Sequence, residues 1–143
     1  MINLTKRRLS MQVEVSLKVS AEEFYQLLIS SLQEEVEMVT HKKYTEDQLS
    51  GLRYKKKSHA QGQTVKIHVG KLISNKHYEN SFAIHEISTH VTYDLEPTGP
   101  LSCKVLYKEQ YSKKPKASLL NPPQRRAKKM IRACEKYIID HRG

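Results

Sequence analysis

The stretch ISTHVTYDLEPTGPLSCKVLYKEQY, residues 87–111, decides the fold. From Ile87 the alternate positions Val91, Tyr93 and Leu95 are apolar, whereas Glu86, Ser88, His90, Thr92, Asp94 and Glu96 are polar. That period of two predicts a strand with one buried face. Pro97-Thr98-Gly99-Pro100 breaks the run. Beyond it Cys103, Val105, Tyr107 and Tyr111 share one face, and Ser102, Lys104, Lys108, Gln110 and Ser112 share the other, with Leu106 the apolar exception outside. The two runs read as an antiparallel hairpin with a wet back and a dry front. A dry front needs a cover, and the only long amphipathic segment that follows is C-terminal.

In that segment Asn121 is an N-cap, Pro122 suits the first helical position, and Gln124 completes a box-like start. Steps of 100° from there put Ala127, Met130, Ile131, Cys134, Tyr137, Ile138 and His141 on one arc, with Arg125, Lys129, Arg132 and Lys136 opposite. Upstream, Tyr78, Asn80, Phe82 and Ile84 make a strand joined to residue 87 by a short turn. Before it lie Val65, Ile67, Val69 and Ile73, with a bulge expected at Gly70-Lys71. Leu52–Ser58 reads as an edge strand, because Lys56 interrupts its inward face and lysine discourages pairing with other chains. His59 to Gly62 is a turn. Val13, Val15, Leu17 and Val19 alternate with polar residues as a first strand. Ser20-Ala21-Glu22-Glu23 is a capping box for a helix carrying Phe24, Leu27, Leu28, Leu32, Val36 and Val39, and Thr45 to Gln48 repeats the box for one further turn. The expected fold is α+β: a curved six-stranded antiparallel sheet, a short N-terminal helical pair and a long C-terminal helix across the inner face.

A chain of 143 residues suits one domain that buries roughly two-thirds of its unfolded surface. Cys103 faces inward on a strand and Cys134 lies on the apolar helix arc, so both read as reduced core residues. No signal peptide and no run of about 20 apolar residues is present, so a cytoplasmic location is expected. Nearly all of the net charge of +10 lies in residues 101–143, where twelve Lys and Arg face three acids. Residues 1–10 read as a basic extension, either disordered or an upstream start, ahead of a domain spanning 11–143.

The strand at 13–19, the strand-turn-strand from Val91 to Pro97 and Ser102 to Val105, and the basic helix from Arg125 to Tyr137 resemble the START-like helix-grip superfamily of lipid-transfer proteins, birch-pollen-type allergens and polyketide cyclases. More closely they are similar to an uncharacterised family of small Gram-positive bacterial proteins, a domain of unknown function. The resemblance covers about residues 11–140 and implies a hydrophobic or amphipathic ligand between the sheet and the last helix. The connection at 113–121 is short and polar for that fold, which implies a small cavity or none.

Chemistry-bearing patterns are sparse. The seven histidines show no i, i+4 pair and no carboxylate at ligand spacing, so neither metal nor cofactor is expected. No phosphate loop, nucleophile elbow or Cys–His motif points to a reaction, and the reading leans away from an enzyme. Two carboxylates stand out. Helical geometry places Glu35 on the apolar arc of the first helix, and alternation turns Glu109 inward between Tyr107 and Tyr111. Burying either ion costs several kcal/mol unless it is paired. They mark candidate pocket linings together with Tyr54, Tyr93, Tyr107, Tyr111, Met130, Cys134 and Tyr137. The bland alternative leaves both carboxylates wet near element ends, with Lys56 as a partner. Arg125, Lys129, Arg132 and Lys136 are candidates for nucleic acid or an anionic membrane, although no stacking aromatic accompanies them. A third reading is a protein adaptor that docks through the strand edge at Arg53–Lys57.

Overall fold

The computed structural model describes residues 10–58, 62–113 and 123–142. Its elements are β1 (Ser10–Leu17), α1 (Ala21–Thr40), α2 (Glu46–Leu49), β2 (Arg53–Lys57), β3 (Thr64–Ile73), β4 (His77–Ile84), β5 (Ile87–Gly99), β6 (Ser102–Tyr111) and α3 (Pro123–Asp140). The expected cap at Asn121-Pro122, the turn at His59 and most of the 113–121 connection lie outside the described residues.

All six strands form one antiparallel sheet in the order β1-β6-β5-β4-β3-β2, so β1 and β2 are its edges. Register follows the side-chain alternation. Tyr93 pairs with Tyr107, Leu95 with Val105 and Val91 with Glu109, while Val13 and Val15 continue the same inward rows on β1. Slipping any strand by one residue would expose its whole apolar set. β1 alternates exposed and buried residues without exception.

The start of α1 is set locally. The Ser20 hydroxyl accepts from the Glu23 amide, and the Glu23 carboxylate accepts from the Ser20 amide, so two helical donors are satisfied. His41 ends α1 in the left-handed region at φ 61°, and its amide donates to the Glu37 carbonyl. α1 buries Phe24, Leu32 and Val36 as expected, together with Tyr25 and Ile29, which the helical pattern in the sequence did not single out, while Leu27, Leu28 and Val39 are only partly buried. α3 packs against β1 and α1 and buries Ala127, Ile131 and Ile138. The result is the helix-grip arrangement of a curved sheet holding a long C-terminal helix.

Three details differ from, or sharpen, the pattern. Ile87 begins the alternation but is 43% exposed, beside the two-residue turn at His85-Glu86. The register of β3 against β4 shifts between Val69 and Leu72, at the expected bulge. A Cβ on Gly70 would lie 2.4 Å from Glu79 Cγ, so any larger residue there displaces the Glu79 side chain. Lys56 is only half-buried, as suits the edge strand it occupies.

Candidate functional site

On the concave face, strand alternation brings Tyr107, Glu109 and Tyr111 into one column of β6. Tyr107 Oη donates to Glu109 Oε2, and Tyr111 Oη donates to Oε1 at 2.5 Å. Burial first, and the Glu109 carboxylate second, hold both phenols well above their ordinary pKa. They therefore stay protonated and act as donors. Each oxygen of Glu109 accepts one phenol and keeps a second lone-pair direction for a ligand hydroxyl or amine. Glu109 is half-buried and lines a largely polar cavity of about 390 Å³ together with Ser10, Met11 and Gln12 of β1, Lys108 and Gln110 of β6, and Gln124 from the first turn of α3.

Other sequence candidates fall in separate places. Tyr93 belongs to the core, with its ring 4.9 Å from that of Tyr107 and 5.6 Å from that of Tyr78, both edge-on. Its hydroxyl points at Met130 Sδ, 3.8 Å away, while the remainder of Met130 is exposed. Cys134 is half-buried beside the core, and burial raises its thiol pKa. Tyr137 is 50% exposed and stacks on His141 at 3.9 Å, so it faces outward from the grip. The apolar arc of α3 is thus wider than the strip that touches the sheet. Gln124, marked in the sequence only as part of the helix start, and Arg126, marked by nothing, lie near the Glu109 cluster. The charge of Arg126 opposes the rise in the Tyr111 pKa.

Glu35 and Tyr54 form a second cluster, away from the first. Tyr54 Oη donates to Glu35 Oε2, and Lys56 Nζ pairs with Oε1. This bridges α1 to the edge strand β2 and supplies the partner that a half-buried carboxylate needs. The groove beside it, about 1020 Å³, is lined by Met38, Val39, Lys57 and Val65.

The basic stripe on α3 is partly committed to structure. Arg132 donates to the Ser16 carbonyl at 2.9 Å and pairs with Glu135, and Glu135 accepts from the Lys18 amide at 2.7 Å. Lys136 lies 3.4 Å from Asp140. Among the described residues Arg125 and Lys129 make no ion pair, and no group of three His, Cys, Asp or Glu side chains could hold a metal ion. No described helix is long and apolar enough to cross a membrane.

A curved antiparallel sheet closed by a C-terminal helix is the helix-grip fold seen in START-like proteins. Solved structures with this fold include Ara h 8.0201 (14% identical, TM-score 0.63, covering 92% of this chain and 98% of that one). A truncated norcoclaurine synthase from Thalictrum flavum is 14% identical with a TM-score of 0.64, over 93% and 94% of the two chains. A START superfamily protein from Mycobacterium smegmatis is 14% identical with a TM-score of 0.54, over 91% and 93%. At such identities the likeness shows the fold alone. Within the class, the chain belongs to the family described as a domain of unknown function, DUF3284, whose profile matches residues 11–122. No curated protein matches the sequence.

Proposed function

We propose that the protein binds a small hydrophobic or amphipathic molecule at the concave face, between β1, β6 and the start of α3. One observation carries this reading: Glu109, flanked by two phenol donors, borders a cavity whose other lining is polar apart from Met11. A carboxylate held there by tyrosines has spare acceptor capacity for a ligand donor, with Met11 as the apolar member of the lining. The fold supports the reading by analogy, since the norcoclaurine synthase from Thalictrum flavum has a structure in complex with dopamine and hydroxybenzaldehyde. Such small aromatic molecules combine an apolar ring with polar ends. No second base or cofactor motif accompanies Glu109, so the reading is binding rather than catalysis.

Native mass spectrometry of protein purified without added ligand tests it. An adduct of small-molecule mass is expected, with an affinity that depends little on salt. Glu109→Gln should remove or weaken the adduct without loss of fold. Absence of any adduct, together with no binding across a panel of aromatic alcohols and amines, would sink the proposal. A second reading rests on Arg125 and Lys129, which have no acidic partner among the described residues: a polyanion contact along α3. Its affinity would fall steeply with added salt, and Arg125→Glu with Lys129→Glu would abolish it.

A further inference from the structure

The convex face of the sheet is divided by charge. Strands β2 and β3, residues 53–57 and 64–73, contain no Asp or Glu. The convex-side carboxylates of β4 and β5 instead gather around histidines. Asp94 Oδ1 lies 2.6 Å from His77 Nδ1, and Glu79 Oε2 lies 3.3 Å from His77 Nε2 and 3.4 Å from His90 Nε2. Glu79 is further fixed by the Lys71 amide at 2.9 Å.

On the β2–β3 half, register opposes like charges at Lys55 and Lys66, which pair directly, while Arg53 lies opposite His68. Cations directly opposite one another across a ladder destabilise it. Among the described residues none of Arg53, Lys55 and Lys66 has an acidic partner. The same two rows continue onto small side chains. His68 neighbours Ser81 and Lys66 neighbours Ala83 on β4, and Ala83 neighbours Ser88 on β5. The small residues leave a depression of about 510 Å³ with the cations around it. At its margin Ser81 Oγ is held 2.7 Å from His90 Nδ1. That volume suits a small molecule rather than a tracked polymer. Three formal cations without counter-charge suit a dianion better than a single carboxylate, and arginine matches phosphate oxygens in pairs.

We propose that this convex depression, framed by Arg53, Lys55 and Lys66 with His68 and Ser81, is a binding site for a phosphate ester. It lies on the opposite side of the sheet from Glu109, so the two sites are independent. Bound phosphate neutralises the opposed lysine pair, and the free protein carries its repulsion.

The test titrates inorganic pyrophosphate into the full chain and follows backbone amide shifts by NMR. Shifts confined to residues on β2, β3 and β4 around Lys66, His68 and Ser81 are expected, with affinity reduced by about tenfold or more in Lys66→Glu. Because that substitution also turns the repulsive cross-strand pair with Lys55 into an attractive one, the unliganded variant should melt above the parent. Arg125→Glu on α3 should leave pyrophosphate binding unchanged. Vesicles of phosphatidylcholine with phosphatidic acid distinguish the source: retention lost in Lys66→Glu identifies a lipid headgroup, and failure of the parent to bind vesicles while it binds pyrophosphate identifies a soluble ester. No saturable pyrophosphate binding, shifts centred on α3, or unchanged affinity in both Lys66→Glu and Lys55→Glu would overturn the proposal.

Discussion

Arg142 donates Nε and Nη2 to the two carboxylate oxygens of Glu23 at 2.9 and 2.8 Å, joining the end of the last helix to the first turn of α1. Glu23 also completes the capping box, so one side chain both starts α1 and fastens α3 to it. The Arg142 bond, followed by the Ser20 amide, lowers the Glu23 pKa from its ordinary 4.5 to about 2. A depressed carboxylate contributes stability above its unfolded pKa and loses it as pH falls through the folded one. Denaturation midpoints should therefore fall between pH 4.5 and about pH 2 in the parent. Both Glu23→Gln and Arg142→Ala should flatten that acid limb and lower the midpoint near neutral pH. An unchanged acid limb in Arg142→Ala would show that the pair contributes nothing.

Ile131 and Met130 are adjacent on α3 but occupy different environments, fully buried and 40% exposed. Ile131→Asp places an unpaired charge in the core and should abolish folding. Ile131→Ala should cost about 2–5 kcal/mol through lost burial and a residual cavity. Met130→Asp should leave a folded protein, because the charge can turn to water. Circular dichroism with urea titration of the three variants is sufficient to separate these outcomes.

The adjacency of Ile131 and Met130 also shows where the sequence is legible. Strand alternation specifies a face without ambiguity, because its period is two, and the inward rows of β1, β5 and β6 are readable residue by residue apart from Ile87. Helical arcs are continuous, so the pattern of apolar residues fixes the direction of a face and not its width. That is why Met130 and Tyr137 fall on the arc yet sit at its exposed margin, and why the helical pattern passes over Tyr25. The Tyr107–Glu109–Tyr111 column can be read from i, i+2 spacing. The convex depression cannot, because it depends on the register between β2, β3 and β4, which no local pattern encodes.

Glu35, Tyr54 and Lys56 test whether a carboxylate in an apolar arc is a structural tie. Lys56 and Glu35 are each about one-third exposed, so solvent screening limits the pair to about 0.5–1 kcal/mol. A double-mutant cycle with Glu35→Gln and Lys56→Met should return a coupling of that size, and Tyr54→Phe should lower stability by about 1 kcal/mol for the lost hydroxyl bond. Lys56→Met alone should cost little, because its stem already lies inward and the thioether can cover apolar surface. A coupling near zero would return Glu35 to the groups held for a ligand.

Tyr93 separates core from site. Its ring lies 6.0 Å from Phe24, 5.6 Å from Tyr78 and 4.9 Å from Tyr107, so it is the hub of an aromatic cluster that joins α1 to β4, β5 and β6. Aromatic pairs of this kind contribute about 0.5–1.5 kcal/mol each beyond the area they bury. Tyr93→Ala should therefore cost about 3–5 kcal/mol and approach complete unfolding. The hydroxyl is a different matter, since among the described residues its polar partner is the Met130 sulfur at 3.8 Å, a weak acceptor on an exposed side chain. Tyr93→Phe should change stability by less than about 1 kcal/mol. It should also leave any concave-face ligand bound, whereas Tyr107→Phe, which removes a donor to Glu109, should weaken that ligand while the fold persists. Parallel urea titrations and native mass spectra of Tyr93→Phe and Tyr107→Phe read both effects, and equal loss of ligand in the two would place Tyr93 in the site rather than beneath it.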